Sequence, residues 1–129
     1  MPQILLDTTF FIDLRRGEHG ARQVWQQVAS GEIAAAFASL TAYELWLNRN
    51  LTSSDELFYY AMFSLLEEAP LTSVSAVQTA QWIKQLPRGA RNRRLRDALI
   101  AGVANQRGET VYTRNVRDFR RYAVDVHRY

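Results

Sequence analysis

The sequence predicts an α/β domain of three layers, with helices on both faces of a central, mainly parallel sheet of four to five strands. Three observations carry that expectation. Short apolar runs recur at Ile4-Leu5-Leu6, Ile33 to Ala38 and Thr110-Val111-Tyr112, and near-continuous apolar runs mark strands buried on both faces. Between them lie longer stretches with helical spacing, as in Ala21, Val24, Trp25 and Val28. Strands that alternate with helices form parallel sheets covered on both sides. With 129 residues, 47% of them hydrophobic, and no repeat or linker, residues 1–129 are expected to form one domain with its own core.

In chain order, residues 3–6 read as the first strand. Thr8 to Leu14 suits a short helix that ends at Arg15-Arg16-Gly17. Glu18 to Ser30 reads as a second helix, stopped by Gly31. Ile33 to Ala38 is the second strand, and Ser39 or Thr41 is expected to cap the helix that carries Tyr43 to Leu47. After a polar break from Asn48 to Ser54, Ser53 or Ser54 should cap a helix through Phe58, Met62, Leu65 and Leu66. Pro70-Leu71-Thr72 is expected as the third strand, followed by a helix from Ser75 to Leu86 with Val77, Ala80 and Ile83 inward. Pro87 to Arg94 reads as a basic loop, and Leu95 to Gln106 as an Ala-rich helix stopped by Gly108. Thr110 to Thr113 is the fourth strand, Asn115 to Arg121 a helical turn, and Ala123 to Val126 a final edge strand.

Composition excludes several classes. The chain has no cysteine, so neither a disulfide framework nor a thiolate zinc site is expected. No apolar stretch approaches the ~20 residues of a membrane span. The N-terminus lacks a charged leader and Asp7 breaks its apolar run at once, so no signal peptide and a cytoplasmic location are expected. No Gly-rich phosphate loop is present, which argues against nucleoside triphosphate binding. His19 and His127 sit in no motif and are expected to be structural or surface residues.

The net charge of +3 is unevenly placed: residues 1–87 carry five basic and nine acidic side chains, residues 88–129 eleven arginines and four acids. Lys84 is the only lysine. Arginine offers a planar fork for phosphate and carboxylate. Arg88, Arg91, Arg93, Arg94 and Arg96 precede Asp97, while Arg114, Arg117, Arg120 and Arg121 flank Asp118. Such clusters suit an RNA backbone or an acidic partner tail; a plain solvated surface is the alternative.

Most acids fall on polar helix faces, but three do not. Asp7 follows the first strand, Glu44 lies in the helix after the second, and Asp97 lies near the start of an otherwise apolar helix, in a row with Ala101 and Ala104. Thr113, Asn115 and Asp118 cluster after the fourth strand. In an open α/β sheet, ligands bind at the carboxyl ends of the strands. Four strand ends thus offer oxygen ligands and almost no nitrogen or sulfur, which favours Mg²⁺ or Mn²⁺. The competing role for each acid is a helix cap or macrodipole partner.

Four stretches together resemble the PIN-domain family, and most closely its VapC-type toxins: Ile4-Leu5-Leu6-Asp7-Thr8, Ser39-Leu40-Thr41-Ala42-Tyr43-Glu44-Leu45, Arg96-Asp97-Ala98-Leu99-Ile100-Ala101 and Thr113-Arg114-Asn115-Val116-Arg117-Asp118-Phe119. The resemblance implies a Mg²⁺- or Mn²⁺-dependent endoribonuclease that cleaves RNA by metal-activated water. It also implies a VapB-like antitoxin that blocks the site, a homodimer, and a heterotetramer or larger assembly with the antitoxin. Carried over by position, Asp7, Glu44 and Asp97 match the metal-binding acids, with Asp118 as a fourth catalytic acid and Thr8, Thr9, Thr113 and Asn115 in support. Arg88, Arg91, Arg93, Arg94, Arg96, Arg114 and Arg117 are expected to contact RNA or antitoxin. Two positions depart from the family pattern. Asn115 stands where many relatives have Asp, which favours one ion over two, and Thr9 stands where Asn is usual.

Two other readings use the same residues. A non-catalytic PIN-fold binding module would tolerate Asn115 and Thr9. An aspartyl-phosphate phosphatase of the haloacid-dehalogenase type also starts with an Asp behind an apolar strand. It would want a second Asp at position 9, where this chain has Thr, and a lysine for which Lys84 is the sole candidate.

Overall fold

Along the first strand, side chains alternate between two cores. Ile4 and Leu6 join one with Ala35 and Phe37, while Leu5 joins the other with Ala36, Ala38 and Val111. That period of two is what a strand covered on both faces requires. The structure, a computed structural model, describes residues 3–129. Its sheet contains β1 (Ile4–Leu6), β2 (Ala35–Ala38), β3 (Glu67–Ala69), β4 (Thr110–Tyr112) and β5 (Val126–His127). All pairings are parallel, in the order β3-β2-β1-β4-β5. The three-layer α/β/α expectation is borne out.

The first core is closed by α1 (Thr8–Arg15), α2 (His19–Ala29), α3 (Ser39–Trp46) and α4 (Ser53–Phe63). Phe10, Phe11, Phe37 and Phe63 dominate it, with Phe37 and Phe63 stacked at 4.1 Å. The second is closed by α5 (Ser73–Lys84), α6 (Arg88–Arg107) and the short α7 (Val116–Phe119). Here small residues prevail: Ala98, Ala101 and Ala104 of α6 are fully buried. Among the described residues, no helix is long and apolar enough to cross a membrane.

Several local expectations need correction. The third strand is Glu67–Ala69, ahead of Pro70-Leu71-Thr72. It is an edge strand in which Glu67 and Glu68 are exposed, and edges tolerate charge that hides a strand pattern. The cap of α4 is Thr52, in a reciprocal capping box with Asp55, and neither Ser53 nor Ser54. Thr72 caps α5 in the same way with Ser75. Neither Ser39 nor Thr41 caps α3: Ser39 is already helical and donates to Glu68, while Thr41 is buried beside Thr8. In α5 the inward face is Ser75 and Thr79, with Val77 and Ala80 exposed. The final strand is Val126–His127, later than expected.

The largest correction concerns the basic segment. Pro87 to Arg94 is not a loop; α6 begins at Arg88, with Pro87 at its N-cap. Proline suits a helix start and arginine is a good helix former, so five arginines by themselves do not break a helix. Asp97 therefore lies well inside α6 rather than near its start. Gly108 ends the helix in the left-handed conformation, φ 68°, which only glycine adopts freely.

Candidate functional site

The strand order reverses around β1, whose neighbours β2 and β4 continue toward opposite edges of the sheet. Such a switch point leaves a crevice at the carboxyl ends of the strands. Asp7 stands there, immediately after β1, with its backbone N–H donated to Tyr112 O of β4 at 3.0 Å. It is the N-cap residue of α1 by position, but its side chain makes no capping bond. The carboxylate is 3% exposed. Its Oδ2 accepts from Thr9 Oγ1 at 3.0 Å and from Thr113 Oγ1 at 2.8 Å. Thr113 has one proton to give, and Asn115 N–H fills its acceptor side at 2.9 Å, so that proton is directed at Asp7.

Glu44 reaches the same crevice from α3. Thr8 Oγ1 donates to its Oε1 at 2.7 Å and is 3.1 Å from the buried Thr41 hydroxyl, so the start of α1 and α3 are joined through two threonines. Arg96 approaches Glu44 at 3.8 Å. On the opposite wall Arg94 donates to Asp118 at 3.1 Å, and the Arg94 Nε is buried without a partner.

The acids sense one another. Burial pushes the Asp97 carboxyl up to about 6, and the charges of Asp7, Asp118 and Glu44 add to that, against relief from Arg94. Burial also raises Asp7, opposed first by the Thr113 and Thr9 hydroxyls and then by the nearby backbone at Thr8 and Thr9. Glu44 is raised by burial first and by the charge of Asp7 next, with Thr8 and Arg96 opposing. The charges of Asp7, Asp118 and Glu44 thus all reach Asp97. Among the described residues, however, no three His, Cys, Asp or Glu side chains stand close enough to close on an ion together. Like charges part unless neutralised, and here Thr9, Thr113, Thr8 and Arg94 hold the carboxylates individually. An all-oxygen donor set of this kind fits Mg²⁺, which keeps several waters and takes one or two protein carboxylates rather than a protein cage.

Of the supporting residues, Thr8, Thr9 and Thr113 all contact site carboxylates, while Asn115 contributes its backbone and its exposed side chain makes no hydrogen bond among the described residues. Arg88, Arg91 and Arg93 lie on the first turns of α6, away from any carboxylate ion pair. Arg114 pairs instead with Asp13 at 2.8 Å. Asp13 and Tyr129 carry no role in the reading of the sequence, and Thr41 carries only that of a candidate helix cap. Asp13 sits four residues before Gly17 in a short helix and looks like a solvated charge, yet it is 4% exposed. Its i, i+4 spacing from Thr9 is the one signal that could have found it. Lys84 is exposed in the last turn of α5 and makes no ion pair with the site, which leaves the phosphatase alternative without its lysine.

An apolar groove lies apart from these acids. It is about 610 Å³, bordered by Leu14, Trp25, Phe58, Met62 and Leu65 between α1, α2 and α4. Tyr43 and Tyr60 are exposed, while Tyr59 is buried and Trp46 donates to Glu56.

The sequence profile described as the PIN domain matches residues 4–125. No curated protein is significantly similar in sequence. Among solved structures, the chain is similar to a DNA-bound VapBC from Salmonella typhimurium, with 24% identity over 99% of this chain and 98% of that chain and a TM-score of 0.79. It is similar to VapBC2 from Rickettsia felis bound to a promoter DNA fragment, with 16% identity, 98% of both chains and a TM-score of 0.78. VapBC-5 of Mycobacterium tuberculosis, from the VapBC family of toxin–antitoxin systems, gives 23% identity over 99% and 98% with a TM-score of 0.62. At these identities the likenesses establish a shared fold.

Proposed function

The chain belongs to the PIN-domain family, and from that premise we propose that it is a Mg²⁺- or Mn²⁺-dependent endoribonuclease acting as the toxin of a type II toxin–antitoxin pair in the cytoplasm. The observation that carries this reading is the placing of Asp7 and Glu44 at the sheet's switch point, held by Thr8, Thr9 and Thr113, with Asp97 within reach of their charge and Arg94 and Arg96 alongside. Asp7 and Asp97 would hold the ion, with Glu44 bound directly or through water. Bound there, a divalent ion supplies an activated water and neutralises charge on a phosphodiester oxygen.

The protein's own contribution is orientation and charge. Thr9 and Thr113 fix one oxygen of Asp7, and Thr8 fixes one oxygen of Glu44. Arg94 and Arg96 balance Asp118 and Glu44 and are placed to turn toward a phosphate. Asn115 brings no charge, which supports one ion rather than two.

EDTA-sensitive cleavage of RNA, lost in Asp7→Asn, is the direct test. A chain that binds RNA but does not cut it in Mg²⁺ or Mn²⁺ would establish the non-catalytic module instead. The partner reading rests on the similar structures being toxin–antitoxin complexes and on the apolar groove by α4, beside which Leu57 and Leu65 are exposed. A VapB-like antitoxin would seat apolar side chains there and shield the acids, within a homodimer-based heterotetramer or larger complex.

The substrate track has its own test. Arg117, Arg120 and Arg128 line a pocket of about 500 Å³ with Val116, and none of the three forms an ion pair with the described residues. Contacts to single-stranded RNA release counterions, so each lost contact lowers the slope of log affinity against log salt by about 0.7. Arg117→Ala and Arg120→Ala are each expected to flatten that slope by about this amount. The measurement is RNA binding across a salt series in the Asp7→Asn background. An unchanged slope would remove this pocket from the RNA path.

A further inference from the structure

We propose that Tyr129 and Asp13 are positioning residues for Asp7, acting through Arg114 and Thr9; the inference rests on the reading of Asp7 as a metal-binding carboxylate. Thr9 and Asp13 lie one turn apart on α1 and project from the same side. Asp13 is as withdrawn from water as Asp7, at 4% against 3% exposed, although the proposed chemistry makes no use of it.

Its two oxygens are divided between two partners. Oδ1 accepts from the Arg114 guanidinium at 2.8 Å, and Oδ2 accepts from the Tyr129 hydroxyl at 2.5 Å. A buried carboxylate held at both oxygens cannot turn without stranding a donor or its own charge. Arg114 is thereby anchored, and its backbone N–H donates to Thr9 Oγ1 at 3.2 Å. That bond occupies an acceptor site on Thr9, and the Tyr129 oxygen, 3.4 Å away, closes the outer side of the same hydroxyl. The single proton of Thr9 is left for Asp7 Oδ2 at 3.0 Å. A chain of contacts thus runs from residue 129 to residue 7, and it sets which way the Asp7 carboxylate faces.

Tyr129 is itself fixed by packing. Its ring stands edge-on to Phe10 at 5.3 Å, and its carbonyl passes so close to Gly20 that an added Cβ would lie 2.9 Å from the carbonyl carbon. The ring can therefore stay in place when the hydroxyl is removed, which makes Tyr129→Phe a clean variant.

The test is Mn²⁺ binding to metal-free protein by calorimetry and thermal shift, together with RNA cleavage kinetics, for wild type, Tyr129→Phe and Asp13→Asn. Partners that orient a metal ligand typically matter 10–100-fold, so Tyr129→Phe is expected to weaken Mn²⁺ binding about 10-fold. It should lower kcat while leaving KM for RNA unchanged. Asp13→Asn should act in the same direction, and the double variant should be no worse than the more damaging single one, as expected for residues that work as a unit. A purely structural role predicts a lower melting temperature with Mn²⁺ affinity and kcat at wild-type values, and that result overturns the proposal. Absence of Mn²⁺ binding in the wild type overturns the metal-site reading and this proposal with it, and the wild-type titration alone tells the two failures apart. Should Asp13→Asn not fold, Tyr129→Phe decides.

Discussion

Asp97→Asn is expected to cut RNA cleavage by at least about 10²-fold, the several kcal/mol of transition-state stabilisation that a correctly held metal supplies. The same substitution should make the metal-free protein more stable. The carboxyl of Asp97 is pushed up to about 6 from an ordinary 3.8, chiefly by burial and then by Asp7, Asp118 and Glu44. Between those values the folded protein binds more protons than the unfolded chain, so this group makes stability rise as pH falls from about 6 to about 4. Above pH 6 the ionised form persists and its cost is fully present. Asn removes the charge with little change of shape. Because Asp97 is only half-buried, the gain at pH 7 is on the order of 1 kcal/mol, or roughly 4 °C in Tm. Thermal unfolding in EDTA at pH 5 and pH 7 checks this: wild type should gain more on acidification than the variant. Mn²⁺ at a hundredfold excess over its Kd should stabilise wild type by about 2.7 kcal/mol and the variant far less. A variant less stable than wild type in EDTA at pH 7 would mean that Asp97 is held by favourable bonds rather than strained by its neighbours.

What the sequence reveals of this molecule follows the range of the interactions involved. The buried strands β1, β2 and β4 are legible because both faces need apolar side chains, and the carboxylate behind β1 stands out against that background. Asp7, Glu44 and Asp97 are legible as exceptions to an apolar pattern. The edge strand β3 is not, since Glu67 and Glu68 face solvent at the margin of the sheet. The start of α6 is hidden for a different reason. A run of arginines with a proline and a glycine looks like a loop, but its helix is extended by the apolar segment that follows and is anchored on the sheet. Capping is local and still misleads: Thr52 and Thr72 win over their serine neighbours because Asp55 and Ser75 stand three residues on and can answer the backbone. Asp13 is the most instructive omission. One charge in a short helix has no local mark of burial, and its partners, Arg114 and Tyr129, lie more than a hundred residues away.

The packing of α5 on α6 leads to the largest expected effect on stability. Thr79 Oγ1 donates to Ser75 O within α5 or to Ala98 O of α6, at 2.9 and 3.1 Å, so a polar residue is buried at the seam with its hydroxyl satisfied. Ala98 and Gly102 form one row of α6 facing α5, while Ala101 and Ala104 face the sheet. At Gly102 an added Cβ would lie 2.5 Å from Thr79 Oγ1 and 2.8 Å from Ser75 O. The hydroxyl can rotate away, but the carbonyl is backbone, so the two helices must separate. Gly102→Ala gains about 1 kcal/mol of helix propensity, and the overpacking costs more than that. The net loss should be about 2 kcal/mol, roughly 8 °C in Tm. Thr79→Ala alone loses the seam hydrogen bond, yet in the Gly102→Ala background it also removes the nearest clash. The two substitutions should therefore cost less together than the sum of their separate effects, a coupling that a double-mutant cycle in urea reads directly. Strict additivity would show that Ser75 O alone sets the helix spacing. A neutral Gly102→Ala would show that the seam has room to open, and that Asp97, carried on the same helix, is not held at its depth by this contact.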